Sequence, residues 1–242
     1  MDLDSSLKSC KLVFIGGEAP EAEQTKAFFS RVGRIDSVIA ADSGLDTLGK
    51  YHSFFRNLGL DFSPDLVIGD MDSLRDKSLL EKFGGAKKDF YPHDKDFTDT
   101  ELALMKARQS DADGSPFVVL LGGNGGRADH FIGILDTFSF DYRPDCWLCG
   151  SQMVFFLGQG KRLRAYGLKK SGYVSVARTT SFFEGGKIVT SGLEWKPDAD
   201  KKKGMLSLSN RIHDEKEGGA TFYAEEGNFL VFLPLDAAFE FA

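Results

Sequence analysis

Two aspartates stand one residue apart just after a short apolar run and are the first candidates for chemistry in this sequence. The run Leu66–Ile68 predicts a buried strand that stops at Gly69. Asp70 and Asp72 are therefore expected to project from the edge of a sheet, where a ligand can reach them. Carboxylate oxygens are the ligands that Mg²⁺ prefers in proteins, so the pair indicates a possible metal site.

A second acidic group, containing Asp96 and Asp99, follows further along the chain. Taken alone, Asp99 is better explained by helix capping, because Thr98 and Glu101 have the spacing of a capping box and Asp99 is then a first-turn acid. The two earlier aspartates, taken alone, suit a turn equally well. Carboxylates that are brought together repel one another unless a cation neutralises them, so the acids as a cluster favour a Mg²⁺ site.

A glycine-rich run, Gly122–Gly126, precedes Arg127 and a predicted helix. It fits the dinucleotide pattern G-x-G-x-x-G/A only loosely, because it follows the fifth predicted strand and not the first. A strand, a glycine loop and a helix still offer backbone N–H groups to an anion, and Arg127 adds a forked donor for phosphate oxygens. Asp129 and His130 follow in the first helical turn, where a histidine is more often a structural hydrogen-bonding group than a catalyst.

The elements that must position these residues alternate between strand and helix up to about residue 150. Near-continuous apolar strands in such an alternation predict a three-layer α/β domain with a parallel sheet. The predicted strands are Leu12–Ile15, Ser37–Ala41, Leu66–Ile68, Lys88–Tyr91, Phe117–Leu121 and Cys146–Cys149. The predicted helices are Glu21–Arg31, a segment after Gly44, Asp76–Phe83, Thr98–Gln109 and Arg127–Phe138. Parallel strands end at one edge, so the acids and the glycine run are expected to meet there.

After residue 150 the pattern changes to short strands separated by glycine-rich turns. This pattern predicts an antiparallel β-sandwich. The predicted strands are Met153–Leu157, Lys161–Ala165, Tyr173–Ala177, Lys187–Thr190, Met205–Leu208, Ala220–Ala224 and Phe229–Leu233. We therefore expect two domains, an α/β domain at residues 1–150 and a β-sandwich domain at residues 151–242.

Composition excludes several classes of function. A net charge of −6 disfavours a general nucleic-acid binder, since phosphate backbones require basic patches. The sequence has no apolar run of membrane-spanning length and no secretory pattern, so we expect no membrane partner and a cytoplasmic location.

Cys146 and Cys149 are three positions apart on a predicted strand and point to opposite faces, which favours structural thiols over a metal pair. The 22 phenylalanines predict a well-filled interior or an aromatic contact surface.

Four motifs standing in order resemble those of the thiamine pyrophosphokinase (thiamin diphosphokinase) family. They are A-A-D-S-G-L at 40–45, G-D-M-D-S at 69–73, K-D-F-T-D at 95–99 and G-G-N-G-G-R-A-D-H at 122–130. The family's patterns read roughly D-G-G, G-D-F-D-S, D-x-T-D and G-G-R-x-D-H. The segments S-G-L-E-W at 191–195 and S-L-S-N at 207–210 are similar to its G-L-x-W and S-x-S-N. The resemblance spans residues 12 to 234, and its order and spacing make it specific.

The resemblance implies an enzyme that transfers a pyrophosphoryl group from ATP to the hydroxyethyl group of thiamine, giving thiamine diphosphate and AMP. It implies Mg²⁺ ligands and catalytic acids at Asp70, Asp72 and Asp99. It implies ATP or phosphate contacts at Asp42, Gly44, Lys95, Asp96, Gly123, Arg127, Asp129 and His130. It implies thiamine contacts at Trp195, Ser207, Ser209 and Asn210, although Trp195 is equally compatible with a place in the β-domain core.

The resemblance assigns catalysis and the binding of ATP and Mg²⁺ to the domain at residues 1–150, and thiamine binding to the β-sandwich domain at residues 151–242. It also implies a homodimer, with the thiamine site where one subunit's α/β domain meets the partner's β domain. Two departures occur near the acids: Met71 replaces the usual Phe, and Ser43 stands where Gly is commoner. Neither removes a group that the chemistry needs. The alternatives are a related Mg²⁺-dependent pyrophosphokinase acting on a pterin-like alcohol, a non-catalytic binder of nucleotide or thiamine, and a nicotinamide-dependent oxidoreductase that rests only on the loose glycine match.

Overall fold

The structure is a computed structural model that describes residues 7–92, 96–109, 116–178, 185–197, 204–215 and 218–242. Six parallel strands form its first half. They are β1 (Cys10–Phe14), β2 (Ile35–Ala41), β3 (Leu66–Gly69), β4 (Lys87–Phe90), β5 (Val118–Leu121) and β6 (Cys146–Cys149). Their order in the sheet is β4-β3-β2-β1-β5-β6. The chain therefore builds outward from β1 to β4 and then returns to add β5 on the other side of β1.

Helices connect these strands. A 3₁₀ turn (Ala22–Thr25) leads into α1 (Lys26–Phe29), and α2 (Gly44–Arg56), α3 (Leu79–Lys82), α4 (Asp99–Arg108) and α5 (Ala128–Thr137) follow. Successive side chains of β1 point to opposite faces of the sheet, so the strand contributes to the helix layers on both sides. Leu12 and Phe14 share a core cluster with Leu45 of α2, whereas Val13 shares the other with Leu104 of α4. The sheet is thus covered on both faces, as the apolar strands predicted.

The second half is antiparallel. Its strands are β7 (Gln152–Leu157), β8 (Arg162–Tyr166), β9 (Val174–Arg178), β10 (Lys187–Ser191), β11 (Met205–Asn210), β12 (Gly219–Glu226), β13 (Phe229–Pro234) and β14 (Ala238–Phe241). Four of them form a separate sheet in the order β10-β12-β8-β14. The predicted fold class, an α/β part followed by antiparallel sheets, is confirmed.

One feature of the topology was not foreseen. Strand β7 pairs antiparallel with β6, and β13, β9 and β11 follow it, so a single ten-stranded sheet runs through both halves. The change from parallel to antiparallel pairing falls in the tight connection from Cys149 to Gln152. The division into domains at residue 150 stays a prediction, because the large sheet is continuous across it.

Two helices and one strand depart most from the sequence expectation. The predicted helix Glu21–Arg31 is a 3₁₀ turn followed by a single α-helical turn. The predicted helix Asp76–Phe83 begins later, because the Asp76 carboxylate accepts hydrogen bonds from the backbone N–H and hydroxyl of Ser78 and holds a turn there. Strand β14 was not predicted from the sequence.

Aromatic side chains fill the interior between the sheets. Phe28 stacks on Phe239 of β14 with ring centroids 5.6 Å apart, and Phe155 of β7 packs on the same ring. Phe29, Phe55 and Phe62 form a second group under α2. Such pairs add stabilisation beyond the burial of their area. The predicted aromatic interior is therefore present, and it joins the two halves.

The cysteines are structural thiols in this fold. Cys10 and Cys146 are buried, and no disulfide links the three. Burial raises the pKa of the Cys149 thiol to about 12, which keeps it protonated at neutral pH. Within the described residues, no helix is long and apolar enough to span a bilayer.

Candidate active site

The carboxyl ends of the parallel strands bring the candidate residues to one edge of the large sheet. Asp42 follows β2, Asp70 follows β3, and the glycine-rich loop Gly122–Gly126 follows β5. Asp99 comes from the start of α4, which crosses β1, β2 and β3. Its carboxyl group lies against Gly69, where an added Cβ would come within 3.0 Å of it. The edge thus unites side chains from residues 42 to 126 of the chain.

Three of these carboxylates form a compact group. One oxygen from each of Asp42, Asp70 and Asp99 lies within 4.8 Å of the other two. All three side chains are only partly exposed. Like charges this close repel, and a bound cation is the ordinary way to relieve that repulsion. We call Asp42, Asp70 and Asp99 the acid group.

Backbone geometry at the strand ends aims the acid group. Asp42 has φ 46°, Gly69 has φ 128° and Met71 has φ 62°. A positive φ is uncommon for residues other than glycine, with Asp among the more tolerant types and Met not. Residues held in such conformations cluster at functional sites. The Met71 side chain is buried, and the packing of this side chain offsets the energetic cost of the strained backbone beside Asp70.

Asp99 serves two purposes at once. The capping box expected from the sequence is present, with Thr98 Oγ1 accepting from the Glu101 N–H at 3.2 Å and the Glu101 carboxylate accepting from the Thr98 N–H at 2.8 Å. The capping residues therefore position α4, and Asp99 at its first position completes the acid group. The two explanations of Asp99 are compatible.

Asp72 lies outside the acid group, although its own motif predicted it as a metal ligand. Its side chain is exposed, and its backbone N–H donates to Asp70 Oδ1 at 3.2 Å. In this arrangement Asp72 orients Asp70. Asp42, which was expected to contact ATP or its phosphates, is the third member of the group.

Two supporting residues were missed by the sequence analysis. Ser73 hydrogen-bonds the Asp42 carboxylate. Asp46 on α2 accepts from the backbone N–H groups of Arg75 and Asp76, both at 3.0 Å, and so fastens the loop that carries Asp70. An aspartate in the first turn of a helix gives no sign of this in sequence, because its partners lie 29 and 30 positions away.

Burial is the main perturbation at Asp42. It raises the pKa of the Asp42 carboxyl above its ordinary value, and the nearby charges of Asp99 and Asp70 raise it further, while hydrogen bonds from Ser43 and Ser73 oppose the shift. Within the described residues, Asp42 Oδ1 is buried and accepts no hydrogen bond. A buried oxygen of this kind, in a carboxylate grouped with two others, suits a metal ligand.

The glycine-rich loop is tied to the loop after β1. Glu18 and Asn124 exchange two backbone hydrogen bonds of 2.7 and 3.0 Å, and the Gly123 N–H donates to Gly16 O at 2.8 Å. The N–H groups of Gly123 and Asn124 are therefore already used within the protein. Gly44, another predicted phosphate contact, is buried, and an added Cβ there would lie 2.2 Å from Phe14 O, so this glycine lets α2 begin against β1.

Arg127, Asp129 and His130 stand at the exposed start of α5. Arg127 donates two hydrogen bonds to the Asp129 carboxylate, at 3.1 and 2.6 Å. This pairing lowers the pKa of Asp129 to about 2. The His130 backbone N–H donates to Asp129 Oδ1. Asp96 is exposed just before α4, and Lys95, the remaining predicted phosphate contact, lies outside the described residues.

The predicted thiamine residues form a second group beside β11. Trp195 is 52% exposed, and the guanidinium of Arg211 lies 5.2 Å from its ring centroid. Asn210, in contrast, is buried: its Oδ1 accepts from the Trp195 N–H, and its Nδ2 donates to Trp195 O at 2.6 Å and to Ser207 Oγ at 2.8 Å. Asn210 thus clamps the backbone of Trp195. Ser209, with φ 54°, donates its N–H to Ser175 Oγ.

The two groups are far apart within one chain. Strand β11 is an edge strand of the ten-stranded sheet, and seven strand-to-strand steps separate it from β2. At about 4.8 Å for each step, the separation is roughly 30 Å. The structure brings Asp42, Asp70 and Asp99 together and brings Trp195, Ser207 and Asn210 together, but one chain does not unite the two sets.

Comparisons with known proteins found one matching family model and several solved structures of similar fold. Residues 31–146 match the family model described as "Thiamin pyrophosphokinase, catalytic domain". The solved thiamine pyrophosphokinase of Bacillus subtilis matches with a TM-score of 0.65 at 18% identity, covering 94% of this chain and 99% of that chain. A thiamin pyrophosphokinase family protein from Enterococcus faecalis has a TM-score of 0.62 at 17% identity, with 93% and 98% covered.

The thiamin pyrophosphokinase of Candida albicans has a TM-score of 0.60 at 14% identity and covers 95% of this chain and 94% of its own. At these identities the structural likeness shows the fold. A comparison with curated protein sequences found no match.

Proposed function

We propose that this enzyme transfers pyrophosphate from ATP to thiamine with the help of Mg²⁺, on the premise that residues 31–146 match the family model of the thiamin pyrophosphokinase catalytic domain. The products are thiamine diphosphate and AMP. The observation that carries the proposal is the acid group, three carboxylates from three segments meeting at the sheet edge within the matched region.

The acid group fits a magnesium ion. Its donors are all carboxylate oxygens, the set that hard divalent cations take, and Asp42 Oδ1 is a buried oxygen with no hydrogen bond among the described residues. Asp42, Asp70 and Asp99 would hold the ion, with Asp72 close behind Asp70. Bound there, Mg²⁺ neutralises the charge of the polyphosphate and lets it approach an acidic protein.

The remaining work of the protein is positioning, as expected for phosphoryl chemistry. Arg127, at the end of the glycine-rich loop, presents a forked guanidinium suited to phosphate oxygens. Asp129 pairs with that guanidinium, so phosphate binding would replace an exposed ion pair, which is worth little by itself.

Thiamine is proposed to lie against Trp195, which offers an exposed aromatic face. Because Trp195 and the acid group of the same chain are roughly 30 Å apart, they serve one thiamine only if two chains combine. This separation supports the homodimer that the family resemblance implied, with Trp195 of one subunit facing the acid group of its partner. The proposal keeps the cytoplasmic location expected from the sequence, which cell fractionation would test.

The test is the release of AMP from ATP and Mg²⁺, measured with and without thiamine. We expect thiamine to accelerate AMP release and EDTA to abolish it. Replacing thiamine with a hydroxymethyl pterin distinguishes the related pyrophosphokinase, and binding of ATP without any AMP release identifies a non-catalytic binder. AMP release that is no faster with thiamine than without it would overturn the proposal.

A further inference from the structure

A pocket of about 440 Å³ opens where α2 and α3 end, away from the strand ends that carry the acid group. Small-molecule sites have volumes of about 300–1,000 Å³. At about 1.5 Å per residue, His52 lies roughly 12 Å along α2 from Gly44, where the helix begins. We call this concavity the His52 pocket. The residues of its lining that matter here are His52, Arg56, Leu60, Asp61, Lys82 and Phe83.

Close packing of α3 on α2 forms the floor of the His52 pocket. Gly49 of α2 leaves room for Leu79 of α3, since an added Cβ would lie 3.1 Å from the leucine side chain. One turn further along, His52 and Phe83 meet edge to face, with ring centroids 5.2 Å apart. Both rings are buried, and His52 is only 6% exposed. The floor of the pocket is therefore a buried imidazole beside an aromatic ring.

The buried imidazole has a nitrogen that is not hydrogen-bonded. Among the described residues, His52 Nδ1 makes no hydrogen bond, although Asp61 Oδ1 lies 3.4 Å away. The Asp61 carboxylate is fixed in place, because the N–H and the hydroxyl of Ser63 donate to Oδ1 at 2.9 and 2.7 Å. Buried polar atoms without a partner are rare. In a protonated His52 both nitrogens donate, so Nδ1 can donate to Asp61 while the second N–H becomes available to a ligand.

Two cations stand at the rim of the pocket. Arg56 and Lys82 are exposed, and neither side chain makes an ion pair or a hydrogen bond within the part of the chain that the structure describes. They lie in the last turns of α2 and α3, where basic residues complement the helix dipoles. The dipoles account for these two cations, but they do not account for a buried histidine with an unbonded nitrogen next to them.

The charges around His52 favour a ligand with two negative charges. Burial lowers the pKa of His52, and the charges of Lys82 and Arg56 lower it as well, while Asp61 opposes the shift. His52 is therefore neutral at neutral pH. An anion bound nearby would favour the protonated form, which then pairs with Asp61 and cancels its charge. The charges of Arg56 and Lys82 remain, and a dianion balances both.

We propose that the His52 pocket binds a phosphate dianion, held by Arg56 and Lys82 together with a protonated His52. The forked guanidinium of Arg56 suits the oxygens of phosphate. Leu60 and Phe83 give the pocket an apolar wall that the organic part of a phosphate ester could contact. The site is separate from the acid group, and it depends neither on Mg²⁺ nor on the proposed function.

The test is titration calorimetry of inorganic phosphate in EDTA, with chloride used to hold the ionic strength constant. Lys82→Gln should raise the Kd about tenfold, because one charge-assisted contact is lost. Lys88→Gln is the matched control, since Lys88 is exposed on β4 outside the pocket lining, and it should bind phosphate like the unmodified protein. Arg127→Gln should keep the phosphate site that Lys82→Gln loses.

Phosphate binding that is lost in Arg127→Gln but kept in Lys82→Gln would place the anion beside the acid group and overturn the proposal, as would the absence of phosphate binding. A second probe, phenyl phosphate, distinguishes two sources of the dianion. Tighter binding of phenyl phosphate than of inorganic phosphate, again lost in Lys82→Gln, identifies an ester as the occupant. Equal affinity identifies free phosphate.

Sulfate tests the part played by His52, because sulfate remains a dianion between about pH 8 and about pH 5.5, the range in which histidine titrates. The affinity for sulfate should rise as the pH falls, since binding is coupled to proton uptake by His52. His52→Gln should bind sulfate without this rise. A pH-independent affinity in the unmodified protein, or the same rise in His52→Gln, would overturn the proposal. Lys82 is exposed, so Lys82→Gln keeps the test valid if His52→Gln fails to fold.

Discussion

The acid group is built by different means from the second group, which consists of Trp195, Ser207 and Asn210 and is called the Trp195 group below. In the acid group, backbone conformations at the ends of β2 and β3 aim the carboxylates, and the side chains repel one another. In the Trp195 group, one buried amide, Asn210, clamps the backbone of an exposed aromatic residue through direct hydrogen bonds. Repulsion between the carboxylates lowers the stability of the first region until a cation binds. The hydrogen bonds of Asn210, in contrast, stabilise the second region. Substitutions in the two should therefore have opposite effects on stability.

Removing one carboxylate of the acid group should have the largest effect. Asp70→Asn is expected to reduce thiamine-dependent AMP release at least about 100-fold, because a metal ligand is lost and the polyphosphate is left unneutralised. Far-UV circular dichroism should be unchanged. Asp72→Asn, also a predicted ligand, tests whether the residue outside the acid group matters as much. Asp141→Asn, at an exposed site, is the control. Normal turnover in Asp70→Asn would remove this residue from the metal site.

Mixing two inactive variants tests whether the two regions meet across subunits. Asp70→Asn and Trp195→Ala dimers should each be inactive, but a mixed dimer contains one site with both residues intact. Subunit exchange at equal concentrations makes half of the dimers mixed, so activity should recover to about a quarter of the unmodified value. Recovery is read as AMP release after co-refolding. If the mixture stays inactive although mixed dimers form, the shared site is wrong.

Loss of the Asn210 side chain should lower the stability of the protein. Of the two substrates, it should weaken the binding of thiamine alone. Asn210→Ala leaves the backbone N–H and C=O of Trp195 without their partner, which should lower the free energy of unfolding by about 2–3 kcal/mol. The KM of thiamine should rise while the KM of ATP stays constant. Urea unfolding and initial rates measure the two effects. Ser207→Ala, which removes the hydrogen bond from Asn210 Nδ2 to Ser207 Oγ, should produce a smaller change of the same kind.

The smallest effect should be a gain in stability at Asp42. Burial and the neighbouring acids raise its pKa, so the folded protein holds this proton more tightly than the unfolded chain. The charged carboxylate thus destabilises the metal-free fold above the folded-state pKa, and this penalty disappears below the unfolded-state value of about 3.9. In EDTA at neutral pH, Asp42→Asn should raise Tm by about 2–4 °C.

Two further observations complete the Asp42 test. The difference in Tm should vanish as the pH falls towards the unfolded-state pKa, and Mg²⁺ should stabilise the unmodified protein more than Asp42→Asn. Asparagine tolerates the positive φ of this position, so backbone strain does not confuse the comparison. A lower Tm for Asp42→Asn in EDTA would show that Asp42 is not under repulsion.

Much of the fold was predictable because its signals are local. Short runs of three to five residues located every parallel strand to within about two residues, and the Thr98 and Glu101 spacing located the start of α4. What the sequence did not predict is long-range. Pairing of β6 with β7 depends on which edges meet, and Asp46 contacts a loop 29 positions away. Asn210 likewise looked like a ligand residue, and only its burial shows it as a clamp.

The sequence by itself determined the strand and helix pattern, the family resemblance, and the convergence of acids at one sheet edge, because the ends of parallel strands share that edge. The tertiary structure decided which acids come within ligand distance. Positive φ at Asp42 and the approach of α4 to Gly69 bring Asp42 and Asp99 to Asp70, while Asp72, on the exposed side of the turn, stays outside. It also decided the distance between that edge and Trp195, because a continuous sheet sets its two ends apart.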